Sequence, residues 1–328
     1  MPELRTITEE DDGIRLDRWF RRHYPALTHA RLEKLLRKGE VRVDGKRAKS
    51  ADRVALGQSL RLPPQVIHDK IEERPKPAPV QTSRKLEDTI LYMDKHLFVL
   101  NKPSGLATQG GSGLKEHVDG MLDQLSFEKT TRPKLVHRLD RDTSGVLLVA
   151  RTGQAAAGLS LALSSRDASK VYWALVKGVP KQKHGVVKAA LAKEGVRGKG
   201  ERMAVSEEDD AKFALTEYAV MAQAGQEFAW VAARPVTGRT HQIRVHLASL
   251  CTPIVGDFKY GGGEARGRGE IADKLHLHAR SIDIGRPDGN RLKVTAKLPP
   301  HMVKSWRLLG FDPDDARDPF PAKHIRKR

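Results

Sequence analysis

The sequence predicts an α+β protein with a largely antiparallel mixed sheet, preceded by a small basic α/β module. Three observations lead there. Beyond residue 86, strand-like alternating or short apolar segments outnumber helix-period segments, and strand–helix–strand repeats are hard to find. The stretch EERPKPAPVQTSRK, residues 72–85, combines three prolines with scattered charge and cannot pack a core, so it reads as a stiff spacer. The segment before it carries its own complete pattern of helices, hairpin and strand. These features divide the chain into a module at 14–70, a linker at 71–85, a main domain at 86–312 and a basic tail at 313–328 that ends in KHIRKR and is expected to be disordered and free to touch RNA phosphates.

In the module, Ile14, Leu16, Trp19 and Phe20 recur at helical spacing. In THARLEKLLRKG, Thr28 is a candidate N-cap, Leu32, Leu35 and Leu36 form an apolar stripe, and Gly39 is a stop. Arg31, Lys34, Arg37 and Lys38 lie off that stripe, with Glu33 the only acid between residues 28 and 38. Val41 and Val43 alternate with polar residues ahead of Asp44-Gly45, a strong hairpin turn, and SLRL closes the unit. A solvated face would also explain the cations, but their clustering favours a polyanion.

In the main domain, ILYMD and LFVLNK read as strands around a turn at Asp94-Lys95, broken by Pro103 and Gly105. The loop TQGGSG, residues 108–113, lacks the GK[ST] ending of a P-loop and is read as flexible. KVYWALVKG, FALTEYAVMA, EFAWVAARPV, LHLHARSIDI and RLKVTAKLP read as strands, and THQIRVHLASL as a helix capped by Thr240. Residues 193–211 and 261–270 read as polar, glycine-containing loops.

The bulk numbers narrow the function. The 328-residue chain carries 59 Lys and Arg against 41 Asp and Glu, a net charge of +18, which points to nucleic acid as partner. A membrane surface is the other polyanion, yet no segment reads as a long basic amphipathic helix. No apolar run approaches the ~20 residues that span a bilayer, and MPELRTITEEDDG has neither the basic flank nor the apolar core of a secretory signal. One cysteine, Cys251, allows no intrachain disulfide and no cysteine zinc site. His241 and His246 are five apart, the wrong helical spacing to chelate, so no metal is expected. A reducing cytoplasm fits the lone thiol.

Two stretches carry candidate chemistry. In LVHRLDRDTSGVLLVA, residues 135–150, turn chemistry accounts for Asp142, Thr143, Ser144 and Gly145. It leaves Asp140 unexplained: a carboxylate at the mouth of a buried strand needs a cation or donors to stay ionised. In PVTGRTHQIRVHLASL, Ile243, Leu247 and Leu250 share a helix face, with His241, Arg244 and Ala248 on the next. Burying Arg244 is costly unless it meets an anion, either Asp140 or an RNA phosphate; a surface arginine with its stem packed down is the plainer alternative. Arg239 at the helix start opposes the helix dipole, which favours a bound phosphate there.

HRLDRDTSG with VLLVA, then KVYWALVKG, then PVTGRTHQIRVHL, in this order, resemble the RNA pseudouridine synthases of the RluA family; NKPSG and LHLHA also fit. The module at 14–70 is similar to the S4 RNA-binding domain through Arg15-Leu16-Asp17 and RLEKLLRKGEVRVDGK. The resemblance implies a catalytic domain with the pseudouridine synthase fold that works without cofactor or metal. Such enzymes break the C1′–N1 bond of a uridine, turn the base and rejoin it through C5. The resemblance assigns Asp140 as the essential carboxylate, as nucleophile or as support for a glycal intermediate. It assigns Tyr172 to the target uracil and Arg244 as the aspartate's basic partner. In Val171-Tyr172-Trp173, alternation alone does not choose which aromatic faces the site. Arg138, Arg141 and Arg239 are expected RNA or site-shaping residues, with Arg31, Lys34, Arg37 and Lys38 as a docking surface.

Within the family, the motifs look most like the C-type bacterial member, which modifies several uridines of large-subunit ribosomal RNA; Gln109 stands where that type is expected to have histidine. The D-type member, acting on another stem-loop of the same RNA, is the alternative. The expected partner is large-subunit ribosomal RNA or a pre-ribosomal particle, met by a monomer. A non-catalytic RNA-binding protein on this fold is a further alternative, which intact Asp140, Tyr172 and Arg244 oppose. A glycosidase using Asp140 and Asp142 as paired acids is another, but two residues apart around a turn they are poorly placed to flank a sugar from both sides.

Overall fold

The structure, a computed structural model, describes residues 3–24, 27–67, 84–110, 116–127, 131–165, 167–196, 200–208, 210–286 and 288–320. The N-terminal module comprises β1 (Glu3–Thr6), α1 (Leu16–His23), α2 (His29–Lys38), β2 (Arg42–Val43), β3 (Lys46–Arg47), β4 (Ser59–Leu62) and a short α3 (Pro64–Ile67). Its four strands run β1-β4-β2-β3. The expected punctuation holds: Thr28 Oγ1 accepts from the Arg31 amide, Gly39 ends α2 in the left-handed region, and Asp44 and Gly45 turn the hairpin with φ of 48° and 74°. Leu16, Trp19, Phe20, Leu32, Leu35, Leu36 and Leu60 form one buried core. The module begins earlier than residue 14, because Leu4 and Arg5 pair with Arg61 and Leu60.

The main domain runs β5 (Ile90–Met93), β6 (Leu97–Lys102), α4 (Val118–Met121), β7 (Lys134–Leu135), β8 (Ser144–Ala150), α5 (Gly153–Ser164), β9 (Ser169–Lys177), β10 (His184–Val196), β11 (Gly200–Val205), β12 (Lys212–Ala224), β13 (Phe228–Pro235), α6 (Gln242–Ser249), α7 (Phe258–Gly261), β14 (Leu277–Gly285), β15 (Arg291–Thr295) and α8 (Pro300–Leu308). The strands form one sheet ordered β11-β10-β12-β13-β9-β14-β8-β6-β5, with β15 on β14 and β7 on β8. Among the described residues β14 and β8 are its one parallel pair, and every other pairing is antiparallel. The α+β class read from the sequence is the one observed.

Alternation along β9 splits its aromatics between two faces. Trp173 packs against Trp230 and Trp306, the latter on α8. Tyr172 joins the opposite side, where it touches both the cluster under α4 and the cluster under α6. That side carries the candidate site.

Three expectations need correction. Residues 193–211 are not simply a loop: β10 and β11 form a hairpin with Lys193 opposite Met203 and Glu194 opposite Arg202. Met203 packs with Tyr260 and Leu191, while the exposed Lys193, Glu194 and Arg202 face outward, as charged side chains do on an edge strand. Within 261–270, Ala265 is fully buried in a single 3₁₀ turn, which anchors the segment. The start of the tail is docked: Phe320 is buried against the tryptophan cluster and lies 4.7 Å from the Arg234 guanidinium. The basic end at 321–328, and most of the linker, lie outside the described residues.

Candidate active site

Asp140 sits just before β8, at the seam where β8 and β14 run parallel. Gly145 pairs with Ala279, and Ala279 pairs in turn with Tyr172. A β-carbon on Gly145, whose φ is 108°, would fall inside the Ala279 carbonyl, so glycine is what lets the two strands close. Tyr172 is thereby brought to the Asp140 side; burial raises its phenol pKa and the Asp140 charge raises it further.

The turn leading into β8 is held from outside. The Lys102 amine, at the end of β6, donates to the carbonyls of Leu106 (2.7 Å), Pro103 (2.9 Å) and Arg141 (3.0 Å). Thr108 Oγ1 donates to the Leu139 carbonyl at 2.7 Å and accepts from its amide at 3.1 Å. Ser104 Oγ donates to the Asp142 carbonyl at 2.9 Å. Lys102 and Ser104 of NKPSG therefore hold the chain after Asp140, and Thr108 holds it before. Burial pushes the Lys102 amine down to about 7, with Asp142 and Asp140 pulling upward.

Local turn chemistry, expected of Asp142, Thr143 and Ser144, is not what they do. The Asp142 carboxylate faces Arg141 at 3.2 Å, Ser144 Oγ meets His278 Nδ1 at 2.9 Å, and Thr143 Oγ1 is buried without a partner among the described residues. The buried start of a central strand replaced the exposed turn that the sequence suggested.

Arg244 reaches Asp140 from α6, its Nη1 3.4 Å from Oδ2. Its principal partner is another acid. Arg244 Nε and Nη2 each lie 2.7 Å from an oxygen of Asp257, a two-pronged contact with a carboxylate 1% exposed. Burial opposes the Arg244 charge, and the Asp257 hydrogen bonds and charge more than offset it, leaving its pKa above the ordinary arginine value. Sequence reasoning missed Asp257; its one signal was an acid following Gly256 after the apolar Ile254-Val255. It also missed Tyr260, whose ring lies 5.0 Å from the Arg244 guanidinium and whose hydroxyl meets His241 Nδ1 at 2.6 Å.

Thr240 does not cap α6. The position before the helix is His241, at φ 54°, and Gln242 Oε1 accepts from the Arg239 amide (3.0 Å) and Thr237 Oγ1 (2.7 Å). Arg239 therefore lies outside the helix, and its Nε donates to the Phe213 carbonyl at 3.1 Å, which removes the dipole argument for a phosphate there.

Asp140, Tyr172 and Arg244 are thus assembled on one side of the sheet, with Arg138 and Arg141 exposed beside them. Arg138 has no side-chain hydrogen bond or ion pair among the described residues. Arg31, Lys34, Arg37 and Lys38 share the exposed arc of α2 in the N-terminal module. No group of three or more metal-ligating side chains occurs among the described residues. The arrangement offers a half-buried carboxylate with a guanidinium on one oxygen and an aromatic nearby, which suits a carboxylate acting on a planar base and its sugar.

A sequence profile for RNA pseudouridylate synthase matches residues 96–249, and one for the S4 domain matches residues 14–60. Ribosomal large subunit pseudouridine synthase C of Escherichia coli is 37% identical over 89% of this chain and 92% of its own. The Pasteurella multocida protein of the same name is 38% identical over 92% of each. RNA pseudouridine synthase 4, mitochondrial, of Arabidopsis thaliana is 34% identical over 89% of this chain and 78% of its own. Among solved structures, Human RNA Pseudouridylate Synthase Domain Containing 4 superposes with a TM-score of 0.58 at 30% identity, over 69% of this chain and 94% of that one.

Proposed function

The chain belongs to the RNA pseudouridine synthase family, with an S4 domain in front, and on that premise we propose that it isomerises several uridines of large-subunit ribosomal RNA. The relatives named for that substrate cover nearly the whole chain, S4 domain included. Asp140 is the catalytic carboxylate in this reading, Tyr172 packs on the target uracil, and Arg244 pairs with Asp140 and holds it in place. The observation that carries it is the Asp140–Arg244 contact beside Tyr172, built by three segments far apart in sequence.

The reaction makes no net change in composition, so the site needs only to cleave, hold and rejoin. An ionised carboxylate can attack or stabilise C1′ as the N1 bond breaks. A uridine in folded RNA must leave its stack first, and an aromatic face replaces the lost stacking. The cationic arc of Arg31, Lys34, Arg37 and Lys38 docks the phosphates, with Arg138 and Arg141 nearer the reacting base. The enzyme works in this reading as a cytoplasmic monomer on free RNA or an assembling particle. Among the described residues no helix is long and apolar enough to cross a membrane.

The test is pseudouridine mapping of large-subunit RNA from cells with and without the gene, complemented by wild type or Asp140→Asn. The expected result is loss of a small set of sites, restored by wild type alone. An unchanged large-subunit map would overturn the target; restoration by Asp140→Asn would overturn the catalytic role.

A further inference from the structure

His241 is the residue in this site that neither the charge pairing nor the base stacking uses. It takes a left-handed backbone, φ 54° and ψ 17°, immediately before α6. That conformation is uncommon for a residue with a β-carbon, and such strain persists where the surroundings fix it. Here the ring is held at one nitrogen and aimed with the other. Nδ1 lies 2.6 Å from the Tyr260 hydroxyl, and Nε2 points at Asp140 Oδ1 from 3.7 Å. Arg244 meets the other oxygen, Oδ2. The carboxylate is therefore approached from two sides by two α6-end residues, one per oxygen.

The hydroxyl of Tyr260 bears on which nitrogen of His241 carries the proton. It already accepts a hydrogen bond from the Met203 amide of β11 at 3.2 Å. A phenol has one proton to give. The oxygen can also accept twice, so of the two arrangements that satisfy it, the one that also gives Asp140 a donor sends the phenol proton to Nδ1 and makes Nδ1 the acceptor. A neutral ring then bears its own proton on Nε2, facing Asp140. The charged groups around the ring are Asp140 and Asp257, which favour a second proton, and Arg244 and Lys259, which oppose it. Burial opposes it most, and the net effect holds the imidazole pKa below its ordinary value.

We propose that His241 is a positioning residue for Asp140: a neutral imidazole whose Nε2–H is aimed at the carboxylate, its tautomer set by the relay from the Met203 amide through the Tyr260 hydroxyl to Nδ1. This rests on the reading of Asp140 as the catalytic carboxylate. A contact of 3.7 Å closes to hydrogen-bonding length with a shift of about 0.7 Å, and catalytic contacts tighten in this way when substrate binds. The neutral donor steadies one oxygen without neutralising the charge that the reaction uses. The edge hairpin thereby contributes to the chemistry through one backbone amide.

The tautomer is read directly from long-range proton–nitrogen imidazole spectra of the full chain at pH 7.5, with the His241 signals assigned by their absence in His241→Gln. Wild type is expected to show a protonated Nε2 and an unprotonated Nδ1, and Tyr260→Phe to convert this into a mixture of tautomers. In turnover assays, His241→Asn tolerates the left-handed backbone but its amide stops short of Asp140, and kcat is expected to fall about 10-fold with KM within about two-fold. His241→Gln, whose amide reaches the Nε2 position, is expected to recover most of that loss. A protonated Nδ1, an imidazolium at pH 7.5, or an undiminished kcat in His241→Asn would overturn the proposal. Asp140→Asn separates the two readings. Turnover by that variant defeats the role of Asp140 itself. An inactive Asp140→Asn beside a fully active His241→Asn defeats the role of His241 alone.

Discussion

Asp257→Asn removes one charge from the tightest ion pair in the site while keeping the shape of the side chain. Both Asp257 oxygens lie 2.7 Å from Arg244 nitrogens, and the two side chains are only 1% and 12% exposed. Asparagine can accept at one of those two places, and its amide N–H then faces a guanidinium N–H. At an effective dielectric constant near 20, two unit charges about 4 Å apart attract by ~4 kcal/mol. Removing one partner of a buried pair costs about 3–5 kcal/mol. Asp140 remains 3.4 Å from Arg244 Nη1 and takes over part of the interaction, so the expected loss is about 3 kcal/mol. Asp140→Asn removes a more exposed carboxylate, 22% exposed and at the long end of hydrogen-bonding distance, so its expected cost is under about 1 kcal/mol. Activity should run in the opposite order. Asp140→Asn abolishes turnover, whereas Asp257→Asn loosens Arg244 and lowers kcat/KM by about 10- to 100-fold. Urea unfolding of both variants at pH 7.5 measures the stabilities by linear extrapolation. A larger loss in Asp140→Asn than in Asp257→Asn would refute the assignment of Asp257 as Arg244's principal partner.

Three further outcomes follow from the same packing. Gly145→Ala, at φ 108° with its β-carbon inside the Ala279 carbonyl, should cost about 3 kcal/mol or more and disrupt the β8–β14 pairing; a urea midpoint like wild type would contradict this. Burial pushes His137 and His276 down to about 4 and His278 to about 3, so in acid the unfolded chain binds protons that the folded one does not. Stability should therefore fall by roughly 4 kcal/mol between pH 7.5 and 5.5, about 1.4 per histidine, and equal unfolding free energies at the two pH values would contradict it. Burial pushes Lys102 down to about 7, so above that pH the folded protein gives up the proton, and with it one of the three carbonyl hydrogen bonds, while the unfolded chain keeps it to about 10. Wild type should then gain about 1.4 kcal/mol per pH unit over Lys102→Met from pH 7 to 9, whereas a constant difference would mean that the three carbonyls keep the ammonium charged.

The sequence made the architecture legible where pattern and burial agree. The strands of the long sheet show alternation or continuous apolar runs, and the N-terminal module carries its own caps and turn. It failed where the apolar signal was weak. The helix of GQAAAGLSLALS is made of small residues with no clear stripe, and the β10–β11 hairpin is an edge element whose outward residues are charged. Asp140 stood out because turn chemistry left it over, and Arg244 because burying it demanded an anion. Asp257 and Tyr260 stayed hidden because their value lies in folding back from the segment after α6 onto Arg244 and His241. Which of Tyr172 and Trp173 faces the Asp140 side is likewise visible only from which face receives α6 and which receives α8. Lys102 and Ser104 lay in the quoted NKPSG and Thr108 opened a stretch read as a flexible loop, and the clamp they form is visible only once the carbonyls it holds are placed.

The most direct measurement is single-turnover pseudouridine formation by purified wild type and Asp140→Asn on a large-subunit RNA fragment, with RNA affinity measured alongside. The expected result is no detectable pseudouridine from Asp140→Asn at an affinity within about three-fold of wild type, since the carboxylate contributes to the reaction and not to docking. Pseudouridine formation by Asp140→Asn within about ten-fold of the wild-type rate would contradict Asp140 as the catalytic carboxylate.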